Sequence, residues 1–156
     1  MDVGLVFLSR LALVMLFLPF SAFDKAVNFG GAVKQAREVG IGPRLGGALI
    51  LVGLSIEVLC SLAVLTGLAD RLGALILAGY CAATALLYKR WWSMPGGIFF
   101  PASDPHRRET FFDFWKNLAV AGGFAMIAFG PTVRELHAIF DAPFSSTHPY
   151  AESPAP

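Results

Sequence analysis

Apolar residues gather into four long runs separated by short polar stretches, over about residues 3–23, 45–69, 72–92 and 111–131. Each is close to the ~20 residues, at ~1.5 Å rise per residue, that carry an α-helix through the hydrocarbon of a bilayer. The pattern predicts an all-α integral membrane four-helix bundle. Between the first two runs, Ala26, Val27, Phe29, Ala32, Val33, Ala36 and Val39 approximate one helical face opposite Lys34, Gln35 and Glu38. That segment is expected to lie as a short amphipathic helix at the membrane interface. Gly40-Ile41-Gly42-Pro43 then stops it and launches the second span.

The connections refine the picture. An Asp70-Arg71 corner joins the second and third runs, and Lys89-Arg90-Trp91-Trp92 ends the third as an interfacial anchor. From Ser93 to Thr110 the chain is expected to loop, with His106-Arg107-Arg108 inside that loop. Pro19 predicts a kink near the end of the first span. Residues 1–135 form the bundle domain and 136–156 a short tail outside the membrane, its last dozen residues expected to be mobile. Ala74, Ala78 and Ala82, then Ala119 with Gly123 and Ala121 with Ala125, mark where helices can approach closely, as do Gly46, Gly53 and Gly67.

Composition agrees. The chain is 56% hydrophobic and 15% charged with mean hydropathy +0.63, where soluble domains carry about 25% charged residues. The first run lacks a basic leader and a clear cleavage site, so it reads as a retained helix. A formal net charge of +1 gives no reason to expect nucleic acid. Nine of the twelve Lys and Arg fall in the first and third loops or their borders. The positive-inside rule then puts those loops in the cytoplasm and both termini outside.

The chemistry rests on a few polar groups inside apolar runs. Glu57 lies near the middle of the second run, where a carboxylate costs roughly 2.5–3.5 kcal/mol to insert and so faces protein or a wet cavity. Gly53, Cys60 and Ser61 share its helix face. Arg10, about 10 Å into the first helix, is the expected counter-ion, with Ser9 beside it. Three readings of Glu57 follow: a clasp that fixes helix register, a pair that also touches a ligand, or a lone protonated acid. Asp24 and Lys25 at the end of the first span should lie level with Lys116 and Asn117 at the start of the fourth, where the four could line a shallow polar site. The milder reading is a solvated interface, with Lys116 snorkelling beside Asp113.

Other motifs are negative. Cys60 and Cys81 form no CxxC pair and read as small buried thiols, a helix-to-helix disulfide being the alternative. His106, His137 and His148 show no metal-ligand spacing, and no pair suits haem, so no metal is expected.

The order of these pieces resembles the DoxX family of small bacterial membrane proteins. The resemblance rests on Ser9-Arg10-Leu11, an apolar helix ending in Phe23-Asp24-Lys25, and Gly42-Pro43 before the second span. It continues with Glu57 in mid-helix, Leu65-Thr66-Gly67 followed by Arg71, and Lys116-Asn117-Leu118 with Gly122-Gly123. Ser21-Ala22-Phe23 stands where a glycine often precedes the first-helix lysine, and the Pro-rich third loop and the tail look like additions. The resemblance implies four membrane helices, a bacterial inner-membrane location and redox work at the membrane, linked to quinone or thiols. Joined with the polar bundle interior and the basic loops, the resemblance leads to the expectation of a small accessory subunit, non-catalytic by itself, that shapes a quinone or lipid site and meets a membrane or cytoplasmic redox partner. The alternatives are a quinone-reactive subunit of a thiosulfate–quinone type oxidoreductase, with Glu57 relaying protons, and a small transporter.

Overall fold

A computed structural model describes residues 3–38, 40–95, 104–130, 139–146 and 149–150. The first span is composite: α1 (Val3–Val14), a π-helical stretch over Leu16–Ser21, then α2 (Ala22–Val27). Pro19 lies inside the π stretch. Proline offers no N–H and crowds the preceding turn, so regular α-helical bonding gives way there. The irregularity falls where the sequence predicts a kink, and it ends at Ser21, one turn before Lys25.

α3 (Phe29–Glu38) is the amphipathic connector. Lys34, Gln35 and Glu38 are exposed, while Ala36 is buried and stands 3.2 Å from where a side chain at Gly46 would begin. α4 (Pro43–Thr66) starts with Pro43 in its first turn and ends at Gly67, whose φ of 78° suits a left-handed cap. Ala69 also takes a left-handed φ of 54° at the corner into α5 (Asp70–Tyr88). A 3-10 turn at Trp91–Ser93 follows. α6 (Pro105–Phe129) begins earlier than the sequence reading has it. Asp104 accepts from the His106 N–H and Pro105 opens the first turn, so His106-Arg107-Arg108 belong to the helix and not to a loop.

The packing suits lipid. Much of the interior is small: Ala74, Ala78, Ala85, Ala121 and Ala128 are buried, with Val14, Phe17, Val64, Leu77 and Phe124 as larger fillers. Large apolar side chains such as Leu51, Leu59, Leu86 and Leu87 point outward. α4 and α5 approach so closely that a Cβ on Gly73 would stand 3.0 Å from the Cys60 carbonyl oxygen. A Cβ on Gly123 would meet the end of the Leu13 side chain at 2.8 Å, where α6 passes α1. Ala119 is exposed and takes no part in such a contact.

Val3–Val27, Pro43–Thr66 and Asp70–Ser93 are each long and apolar enough to cross a membrane. α6 completes the bundle by packing along α5, though its first half carries Arg107, Arg108, Glu109, Asp113 and Lys116. Residues 142–146 and 149–150 fold back onto the bundle. Leu72 N–H donates to the Phe144 carbonyl, Ala69 N–H to Ser145 Oγ, and the Arg71 guanidinium to the Ala142 carbonyl. Ser145, Ser146 and Tyr150, within the stretch expected to be mobile, are thus docked. Val39, part of the expected loop after Ser93, His137 and His148 lie outside the described residues.

Candidate functional site

Two buried ionic centres occupy the bundle, at different depths. The deeper one is built on Glu57, whose side chain is 1% exposed. Its Oε1 accepts from Ser21 Oγ at 3.0 Å, from Tyr80 Oη at 3.0 Å and from Lys25 Nζ. Lys25 also donates to Ser21 Oγ at 2.8 Å and Tyr80 Oη at 3.2 Å. Three elements supply these groups. Ser21, the last residue of the π stretch, and Lys25 in α2 stand one turn apart, so they share a face. Tyr80 comes from α5 and crosses α4 at Gly53, where an added Cβ would sit 2.9 Å from its hydroxyl. Glycine is needed there for that close approach.

The centre is lopsided. Glu57 Oε2 is buried without a hydrogen-bond partner, and so is Ser61 Oγ one turn further along α4. Buried polar atoms of this kind ordinarily find a partner, from protein, water or ligand. A carboxylate with one saturated oxygen can accept from a donor on the other, and a serine hydroxyl can donate or accept.

The second centre lies where α1, the end of α4 and the head of α5 meet Ser146 and Tyr150. Arg10 Nη1 meets Asp70 Oδ2 at 2.7 Å and also donates to the Val64 carbonyl at 2.8 Å. Asp70 is fully buried. Its Oδ1 accepts from the N–H groups of Ser146, at 2.6 Å, and Arg71, at 3.0 Å. Ser146 Oγ donates to Oδ2, and the Tyr150 ring lies 5.7 Å from the Arg10 guanidinium carbon. Tyr150 Oη in turn donates to the Leu65 carbonyl. The tail therefore completes the coordination of a charge pair set into the bundle.

This arrangement corrects the expected Arg10–Glu57 pair. Arg10 lies level with Val64, seven residues beyond Glu57 on α4, or about 10 Å along the axis. The two groups are both buried but on different tiers, and each has its own partner. Nor does the second expected grouping assemble. Asp24 is exposed, and Lys25 turns inward to Glu57. Lys116, 73% exposed, pairs with Asp113 at 3.5 Å. Asn117 is half-buried with no side-chain hydrogen bond among the described residues. α2 and α6 do not touch, so these residues share no site.

Ser21, Asp70, Tyr80, Ser146 and Tyr150 escaped the sequence reading. Ser21 was findable as the hydroxyl one turn from Lys25, and Tyr80 as a phenol in the midst of an apolar helix. Asp70 was hidden by its place in a corner, where a carboxylate is ordinarily solvated. The same register speaks to the cysteines. Cys60 lies opposite Gly73 and Gly53 opposite Tyr80, so Cys60 and Cys81 are about two turns apart. Both are free thiols, and their levels are too far apart for a disulfide.

A small-residue core, an apolar exterior and helices of bilayer length, closed around buried ion pairs, define a small multi-span membrane bundle. The chain belongs to the DoxX family, whose model matches residues 5–90. It is similar to the "Inner membrane protein YphA" of Escherichia coli (strain K12), at 29% identity over 124 residues, covering 80% of this chain and 81% of that one. No solved structure matches. With its apolar helices, this likeness makes the chain a multi-pass inner-membrane protein. Both ion pairs fall inside the family-matched stretch, whereas α6 and the tail lie beyond it.

Proposed function

We propose that this protein is a small accessory subunit of a membrane redox system, non-catalytic by itself, that holds the polar head of a quinone-class ligand at the Glu57 centre. The observation that carries the reading is the unspent half of that centre. Glu57 Oε2 and Ser61 Oγ are buried without partners, while three donors crowd Oε1. The donor set suits such a head group: Lys25 and Ser61 can donate to a carbonyl, and Glu57 Oε2 can accept from a hydroxyl. A quinone carries the electron chemistry when bound, and the chain's contribution is binding, orientation and a fixed charge pattern. The separation of Cys60 from Cys81 favours an accessory role, because the two thiols cannot act as a dithiol couple. A partner protein then supplies the rest of the electron path.

The test is mass spectrometry of lipid extracts from protein purified in mild detergent. Wild type should retain a quinone that Glu57→Gln and Lys25→Met lose, while Arg10→Met keeps it. Equal retention by all four proteins, or retention by none, would sink the ligand half of the proposal.

A further inference from the structure

The first half of α6 carries a feature that the Glu57 centre does not use. Pro105, Arg108, Glu109, Phe112 and Lys116 line one groove of about 420 Å³ along a single helix face. Arg108 and Lys116 stand eight residues apart, roughly 12 Å along the axis. Between them, on the adjoining face, Asp113 Oδ2 accepts from Lys89 Nζ at 2.8 Å, just past the end of α5. That pair marks the level where the apolar span of α5 stops. Arg108 therefore lies outside the hydrocarbon boundary and Lys116 one turn inside it, so the two cations bracket the headgroup layer.

The surroundings fit that level. Trp91, Trp92, Phe111, Phe112, Phe114 and Trp115 form a continuous edge-to-face network, as in an interfacial aromatic belt. The Arg108 guanidinium carbon lies 5.8 Å from the Phe112 ring centre, which holds the cation over an apolar surface. Lys116 spends little on its 3.5 Å contact with Asp113. Glu109 sits between the cations and can accept from hydroxyl or amine donors.

We propose that this groove is a discrete site for an anionic phospholipid of the adjacent leaflet. Its phosphodiester takes Arg108 and Lys116, a glycerol-type headgroup donates to Glu109, and an acyl chain runs inward past Phe112. The occupant is a lipid rather than a free anion because one cation stands inside the apolar boundary, where a dissolved phosphate would shed its hydration.

The experiment is native mass spectrometry of the full chain in detergent, titrated with phosphatidylglycerol or phosphatidylcholine. Wild type should bind phosphatidylglycerol in preference. Arg108→Gln with Lys116→Gln should weaken it roughly tenfold to thirtyfold and leave phosphatidylcholine unchanged. Both side chains are exposed, so the variant should fold, and retention of the native melting temperature checks it. A control, Lys34→Gln with Arg37→Gln on α3, removes two exposed cations elsewhere and should change little. Equal weakening in the control would reduce the effect to diffuse attraction and overturn the site. Unchanged binding in the α6 variant would do the same. Displacement of the lipid by millimolar inorganic phosphate would replace the lipid with a free anion as the natural occupant.

Discussion

Arg10 on the first helix holds Asp70 at the head of α5 across 2.7 Å, and the carboxylate is wholly buried. The same guanidinium donates to the Val64 carbonyl near the end of α4. One side chain thus ties three helices at one level. Removing one member of a buried pair leaves the other charge uncompensated, at a cost of about 3–5 kcal/mol. Asp70→Ala should lower thermal stability in detergent by that order, and Arg10→Met joined with Asp70→Leu should recover most of it. A single substitution that leaves unfolding unchanged would remove the pair from any account of stability.

The tail is part of this clasp. Ser146 gives Asp70 both its backbone N–H and its hydroxyl, and hydrogen bonds to charged groups contribute about 1.5–3 kcal/mol each. Ending the chain at Ala142 should destabilise the bundle by several kcal/mol, and Ser146→Ala by about 1.5–3 kcal/mol. Protection of the tail from added protease, lost together with the clasp in Arg10→Met, is the companion measurement.

At the deeper centre the two partners should respond unequally. Lys25→Met leaves a carboxylate buried without its cation, whereas Glu57→Gln keeps an oxygen that can accept from Ser21, Tyr80 and Lys25. Lys25→Met is therefore expected to be the more damaging by about 1–3 kcal/mol, and Glu57→Gln added to it should restore part of the loss. Equal losses with no rescue would mean that the ammonium is solvated rather than committed to Glu57.

How these centres could be read from sequence depends on the kind of information each requires. Glu57 and Arg10 announce themselves because a charge inside a long apolar run has to be buried against protein, and both are. Which charge meets which is a matter of interhelical register. That register is set here by the α3 detour between the first span and α4, and by the π stretch around Pro19. Neither length is written in the apolar pattern, so a depth estimate from helix starts pairs Arg10 with the wrong acid. Depth alone groups Asp24 and Lys25 with Lys116 and Asn117. Depth says nothing about azimuth, and α2 and α6 face different neighbours. The docking of Ser146 and Tyr150 was illegible for another reason: a Ser- and Pro-rich tail has no periodicity, and its partners are individual helix-end groups.

Two glycines of α5 should behave in opposite ways. At Gly73 a Cβ would lie 3.0 Å from both Ala63 Cβ and the Cys60 carbonyl oxygen, whereas at Gly79 it would meet nothing within 4 Å. Gly73→Ala should cost about 1–3 kcal/mol through forced separation of α4 and α5. Gly79→Ala should be neutral or stabilise by up to about 1 kcal/mol through helix propensity. Paired melting curves decide the matter, and equal effects would contradict the close α4–α5 contact.

Orientation in the membrane is open to a direct chemical test. Nine of the twelve Lys and Arg fall between Lys25 and Arg44 or between Lys89 and Lys116, so the positive-inside rule predicts that α3 and the start of α6 face the cytoplasm. The native thiols are no obstacle, since Cys60 and Cys81 are buried. An impermeant maleimide should leave the wild-type protein unlabelled in intact spheroplasts. Lys34→Cys, on the exposed face of α3, should react only after permeabilisation. Asp141→Cys, exposed at the opposite end of the bundle, should react at once. The reverse pattern would invert the protein: the Arg10–Asp70 clasp and its tail would then face the cytoplasm. The phospholipid groove on α6 would belong to the outer leaflet.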